Sequence, residues 1–302
     1  MYKRSLLIAI LAVSTSAAAG GICANWSEPV TVGSLDIAKT PEASGIAVSR
    51  AYSRLYHLND GNEPAFYVTD LSGGAMQKIT VTGFQPIDME DMALGRCGER
   101  NCLYLADTGD NAVRRESVQI VIIEEAERFG DHVAPLRVVN VRYPGKPHDA
   151  EAIAMHPSGA LFVVTKVRVG LKGPAHMFRL SAAQLEAGGE QRLEALGKIP
   201  VPALANRGSK RKRTVTAMDI APEGDRFILL TYDSAIEFAL NPNSPLPKPD
   251  EWVEGRTHRV LPIAQLIQSE SIAYTRDGRS IFYTTESVRG SAAPVIRQFC
   301  VE

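Results

Sequence analysis

"HDAEAIAMHPSGALFVVTK", residues 148–166, places two short strand-forming runs on either side of a turn and opens with His148, Asp149 and Glu151. The Pro, Ser and Gly of "HPSGA" suit a hairpin connection, so the stretch reads as two antiparallel strands. Burying an unpaired carboxylate costs several kcal/mol, so the two acids call for a metal, a cationic partner or water.

The stretch has four counterparts. "EASGIA" (42–47), "DMEDMA" (88–93), "DAEAIA" (149–154), "TAMDIA" (216–221) and "QSESIA" (268–273) each end a short run on Ala. Each is followed by a second strand: "LYHLND" (55–60), "LYLADT" (103–108), "LFVVTK" (161–166), "FILLTY" (227–232) and "IFYTTE" (281–286). One or two further β-type runs come next, such as "PAFYVTDL" and "MQKITVT" in the first unit; the third also carries a helical "AAQLEAGGEQ". Units of four short strands recurring at roughly 45 to 65 residues are propeller blades. The fifth unit has only "PVIRQFC" before the chain stops, and "EPVTVGSL" (28–35) can supply its missing strand. The expected fold is all-β: a five-bladed β-propeller over residues 20–302, closed by an N-terminal strand joining the last blade. Its blades start near 42, 88, 149, 216 and 268, and a sixth blade between Ala154 and Ala221 is the alternative.

The bulk composition agrees with one folded domain. The 302 residues are 45% hydrophobic and 22% charged, which excludes disorder as the default. With 33 basic and 34 acidic residues, no global field draws nucleic acid or an anionic membrane. Lys3 and Arg4, the apolar run Leu6 to Val13 and the small residues up to Ala19 have the pattern of a signal peptide over residues 1–19. That run is too short for a membrane span, and a secreted or periplasmic monomer is expected. Four cysteines follow, Cys23, Cys97, Cys102 and Cys300, and an even count in an exported chain argues for disulfides. Sequence leaves three pairings open, but a closed ring would put Cys23 beside Cys300.

In a propeller the first strand of each blade lines the channel, and its side chains alternate faces. That register turns Glu42 and Ser44, Asp88 and Glu90, Asp149 and Glu151, Thr216 and Met218, and Gln268 and Glu270 toward the channel or its mouth, with Asp91 and Asp219 on the opposite face. The ends of the second strands add Asn59, Asp60, Asp107, Asp110, Asn111, Lys166, Tyr232, Asp233 and Glu286. So many acids raise one another's pKa unless something pairs with them. Calcium held by carboxylate and amide oxygens is one solution. Salt bridges to Lys166, Arg114 or Arg115 are the other.

The order "HLNDG", "DMEDMA", "LADTGDN", "HDAEAIA", "VVTK", "TAMDIA" with "TYD", and "SESIAY" with "TTE" resembles a group of exported bacterial β-propeller proteins without established activity. More distantly, the acid-bearing first strands are similar to the gluconolactonase and senescence marker protein class. That resemblance implies an axial divalent metal, lactone or ester hydrolysis, and Glu90, Glu151, Glu270 and Asn59 as ligands.

Other signals are weaker. No G-x-S-x-G, H-E-x-x-H, P-loop, EF-hand or Rossmann pattern occurs. "GDN" (109–111) reads first as a solvated turn, and "GSKRKRT" (208–214) as a solvated basic loop. His57 and His148 fall near the channel ends, where a hydrogen-bonded structural role outweighs a general base. The leading functional reading is a propeller that binds a small-molecule or protein ligand at its acidic mouth. The alternative is a calcium-assisted hydrolase of an ester, lactone, phosphoester or glycoside, with Asp149 or Glu151 as base and Lys166 or Arg114 facing developing negative charge.

Overall fold

A computed structural model describes residues 21–167, 174–201, 214–241 and 244–301; residues 1–19, expected from the sequence to be a signal peptide, and positions 208–213 of the basic run lie outside the described residues. The described strands form five sheets, antiparallel except at two outer edges, each begun by one of the repeated runs. The first sheet holds Ala43–Val48, Leu55–Asn59, Ala65–Thr69 and Gln77–Val81; the second holds Asp91–Cys97, Arg100–Asp107, Val118–Glu124 and Arg137–Arg142. Ala150–Met155, Leu161–Thr165, Ala175–Leu180 and Glu194–Ile199 make the third, and Val215–Ile220, Arg226–Thr231, Ala235–Ala239 and His258–Leu261 the fourth. In the fifth, Ser269–Tyr274, Ser280–Thr285 and Pro294–Val301 are joined by the N-terminal Val30–Ser34, which runs antiparallel to the last strand with Val30 opposite Arg297. Each innermost strand packs against those of its two neighbours, and the fifth packs against the first. The described strands therefore form five blades, and between Ala154 and Ala221 Leu161–Thr165, Ala175–Leu180 and Glu194–Ile199 belong to blade three.

Packing explains why the repeat ends on Ala. Ala47 pairs with Tyr56, Ala93 with Tyr104, Ala154 with Phe162 and Ala273 with Phe282, so a small residue leaves room beside each buried ring. Blade four departs from this rule, because Asp219 lies opposite Ile228 and Ala221 already begins the turn. The "TAMDIA" alignment was thus two residues out of register: by strand pairing, Thr216 and not Met218 is the counterpart of Glu151. A two-residue slip preserves the face, which is why alternation did not reveal it.

Strands such as "LFVVT" are buried on both faces because each sheet lies between two others. The core accordingly divides into five apolar clusters, one at each blade junction. Two outer edges are covered from the following blade. His132–Val133 runs parallel to Gln77–Val81, and Gly189–Arg192 runs parallel to Arg137–Arg142. The helical expectation in blade three is met by Ala182–Ala187, capped by Ser181, whose Oγ accepts from Gln184 N at 3.2 Å.

Two disulfides form, one across the ring closure and one within the blade-two hairpin. Cys23 is joined to Cys300, and Cys97 to Cys102. The first bridges residues 277 apart in sequence and clasps the N-terminal strand to the last blade. Asn25–Trp26 adds a second contact, pairing with Val301 and Cys300.

Candidate functional site

Three of the five innermost strands are bulged where the repeated acid falls. The register shifts between Ala150 and Ala152, between Val215 and Ala217, and between Ser269 and Ser271, which sets Glu151, Thr216 and Glu270 out of the ladder. Glu90 immediately precedes the second blade's first strand, and its N–H donates to Ala106 O at 2.9 Å. These positions crowd carboxylates together at one end of the channel. Oxygens of Asp60, Asp88 and Glu90 lie within 4.8 Å of one another, as do oxygens of Glu90, Asp149 and Glu151. Glu90 belongs to both groups.

Glu90, Asp149, Glu151 and Glu270 are all buried, and Asp60 and Asp88 half-buried. Lys166, at the end of the third blade's second strand, forms an ion pair with Glu151. Its ammonium also acts on Asp60, Asp88, Glu90 and Glu270, lowering the pKa of each. Arg115, already paired with Asp107, also acts on Asp88, and the two cations do not balance the group. Burial, with Asp88 and Glu42 nearby, pushes Asp60 up to about 6. Burial together with the charges of Asp60 and Asp88 holds Glu90 well above the usual carboxylate range. Burial and Glu286 do the same to Glu270, whose side chain is also hydrogen-bonded to Gln268. Glu90 is the buried member whose carboxylate, like that of the half-buried Asp88, has no hydrogen bond or ion pair among the described residues.

A second layer fixes the acids in place. Asp107 is fully buried, accepts from Ile87 N at 3.0 Å and Asp88 N at 2.7 Å, and pairs with Arg115 at 2.7 Å. Asp110 accepts from the backbone N–H groups of Arg114 and Arg115 at 2.9 and 2.8 Å, while its own N–H donates to Asp149 Oδ1 at 2.8 Å. "GDN" is therefore a buried brace at its first two positions, and only Asn111 is exposed. Gly109 escaped the sequence reading. A Cβ there would lie 2.2 Å from Glu90 Oε1 and 2.4 Å from Asp88 Oδ2, so the backbone approaches the carboxylates as only glycine permits.

The remaining expected residues are spread around this centre. Asn59 Oδ1 accepts from Glu42 N at 3.0 Å, tying the two strand ends of blade one, and Glu42 is exposed. Asp233 Oδ1 accepts from Ser234 Oγ at 3.2 Å, next to the half-buried Tyr232. Glu286 accepts from Gln268 Nε2. Arg114 is exposed and Arg115 enters the site in its place. His57 is not at a channel end: it is fully buried in blade one, 3.1 Å from Thr69 Oγ1, and burial lowers its pKa to about 3. His148 packs edge-on or tilted against Tyr143, His176 and Phe178 with ring centroids 5.1 to 5.3 Å away, and burial pulls it down to about 4.

Asp91 and Asp219 tie blades together. Asp91 accepts from Ile153 N of blade three at 2.8 Å, and Asp219 from Tyr274 N of blade five at 2.8 Å. Hydroxyls make parallel links across blade junctions, from Thr108 Oγ1 to Ala150 O at 2.8 Å and from Thr216 Oγ1 to Ser269 O at 2.9 Å. The ring is thus locked by polar contacts that do not use the mouth acids.

The donor set at the mouth suits a hard cation: it is made of carboxylate oxygens, and one buried member lacks a partner. No protein-family model and no curated protein sequence matches the chain. Among solved structures it is similar to a PQQ-bound aldose sugar dehydrogenase from Streptomyces coelicolor, with a TM-score of 0.52 at 10% identity over 91% of this chain and 98% of that one. A gluconolactonase from Xanthomonas campestris aligns at 0.47 and 7% identity, over 90% of this chain and 89% of that one. Regucalcin from Agrobacterium tumefaciens, a calcium-binding protein, aligns at 0.45 and 11%, over 92% and 95%. The chain is a β-propeller. Identities this low establish the fold and nothing about chemistry.

Proposed function

We propose that this protein is an exported, ligand-binding propeller whose acidic mouth holds a hard divalent cation, Ca²⁺ being the ion its donors suit best. The observation that carries the reading is Glu90, buried, unpartnered and common to both carboxylate groups. Asp60, Asp88, Glu90, Asp149 and Glu151 would hold the ion, with Lys166 as a fixed counter-charge to the acids or to an anionic group of a ligand. Two disulfides support export, since such bonds persist in oxidising compartments. No helix among the described residues is long and apolar enough to cross a membrane.

A second reading, hydrolysis of an ester, lactone, phosphoester or glycoside, is favoured by one group. Asp60 is half-buried at the edge of the acids with a pKa near 6, where a carboxylate accepts a proton readily at neutral pH. The bound cation would supply Lewis acidity, and Lys166 would face negative charge on the substrate. Glu90, Asp149 and Glu151 have oxygens closer together than the roughly 6.5 to 9.5 Å of an inverting glycosidase pair, which disfavours that version of the glycoside chemistry.

Thermal denaturation of chelator-stripped full chain tests the first reading. Calcium at a hundredfold excess over its Kd should stabilise the fold by about 2.7 kcal/mol. No rise in melting temperature with calcium, magnesium or manganese removes the cation. A rise without turnover on a panel of lactones, esters, phosphoesters and glycosides leaves the binding reading and removes the hydrolase.

A further inference from the structure

The innermost strands carry their acids at one end, and the hairpins at the other end carry arginines. Arg50 and Arg276 occupy equivalent positions in blades one and five, each one residue into the turn that follows the first strand. Both line the axial opening at that end. They also line an open groove of about 460 Å³ between the two blades, which continues past Tyr52, Leu71 and Phe282 to Arg297. Arg297 lies over the rings of Phe282 and Phe299, 5.3 and 4.6 Å from their centroids, and its Nε donates to Ser280 Oγ at 3.2 Å.

None of the three guanidinium groups is in an ion pair among the described residues. Other arginines on this face are engaged: Arg100 pairs with Glu124, Arg226 with Glu237 and Asp225, and Arg54 donates to Ala126 O and Glu127 O. Asp277 is the one acid lining the groove, and it already accepts from Thr275 Oγ1 at 2.7 Å and Arg279 N at 3.1 Å. Asp219, at the axial opening, is bound to backbone N–H groups of Ile220 and Tyr274 and also feels the Arg50 guanidinium. Arg50, Arg276 and Arg297 against Asp277 and Asp219 leave an excess of one positive charge beside an apolar wall.

We propose that this groove is an oxyanion site, taking the carboxylate or phosphate of a small molecule whose apolar part lies against Leu71 and Phe282. Planar guanidinium groups match both oxyanions bidentately, and a rigid aromatic seat such as that under Arg297 keeps the fork in place. The site is separate from the acidic mouth and does not depend on a cation there.

Isothermal titration of the full chain with inorganic phosphate and with benzoate, in chelator and at low salt, tests it. One saturable site is expected for at least one probe, and which probe binds assigns the source of the oxyanion. Arg50→Gln and Arg276→Gln should each weaken that binding at least about tenfold, as loss of a charge-assisted hydrogen bond does. Arg279→Gln, on the same hairpin but outside the groove, and Glu90→Gln should change it less than twofold. Absence of saturable binding for both probes overturns the proposal. So does an equal loss in Arg276→Gln and Arg279→Gln, which would reduce the effect to the general charge of the face.

Discussion

Replacing Glu90 by Gln should change the stability of the fold in opposite directions with and without calcium. Without a cation, Glu90 can ionise only by facing the carboxylates of Asp60, Asp88, Asp149 and Glu151 within 4.8 Å, a cost it otherwise avoids by keeping its proton. At that separation and an effective dielectric constant of about 20, each repulsion is worth about 3.5 kcal/mol. Lys166 offsets part of this, because it acts on Asp60, Asp88 and Glu90 as well as pairing with Glu151. Allowing for that and for relaxation, Glu90→Gln should stabilise the chelator-treated protein by roughly 1 to 3 kcal/mol, within the usual range of single substitutions. For a chain of this size each kcal/mol shifts the melting temperature by roughly 2 to 4 °C. In calcium the same substitution removes a charged ligand, so the calcium-induced rise should shrink by at least half. Differential scanning calorimetry in chelator and in millimolar calcium reads both effects. A variant less stable than wild type in chelator would show that Glu90 is a structural partner, and an unchanged calcium response would show that it is not a ligand.

Three further outcomes follow from particular contacts. Gly109→Ala forces Glu90 and Asp88 apart and should cost about 1 to 3 kcal/mol with at least a tenfold loss of calcium affinity by titration; full retention of both would remove Gly109 from the site. Asp60 has a folded pKa near 6, above its ordinary value, so the folded state holds the proton more tightly and stability falls as pH rises from about 4 to 6. His57, held down near 3, has the opposite slope, so the comparison is with Asp60→Asn: in chelator its advantage over wild type should grow across that window and level off above it, and a constant difference would contradict the assignment. Replacing Cys23 and Cys300 by Ser should lower stability by about 5 kcal/mol on the chain-entropy model, measured by urea denaturation; a loss below about 1 kcal/mol would mean that strand pairing alone closes the ring.

Much of this was legible because the repeat is a packing rule. An Ala opposite an aromatic ring recurs in four blades, and the acid three residues before it recurs as Glu90, Glu151 and Glu270. Blade four misled the alignment because its Ala221 stands in a turn, while its strand carries Asp219 at the small-residue position. His57 lies within the second strand of its blade, both faces of which turn to neighbouring blades and not to the channel, so its nearness in sequence to Asn59 and Asp60 does not bring it to the mouth. Gly109 gives no local sign of its role, since what demands it are carboxylates of the adjoining strand and turn. Arg50, Arg276 and Arg297 were invisible as a group because only ring closure brings blade one beside blade five.

Whether the mouth acids hold a cation is tested most directly by a crystal structure of the full chain grown with calcium, with the ion located by its anomalous signal. One ion is expected, with Glu90 among its ligands at roughly 2.3 to 2.6 Å and at least two of Asp60, Asp88, Asp149 and Glu151 completing the shell. A mouth containing only water, with Glu90 protonated or turned to Lys166, would contradict that expectation.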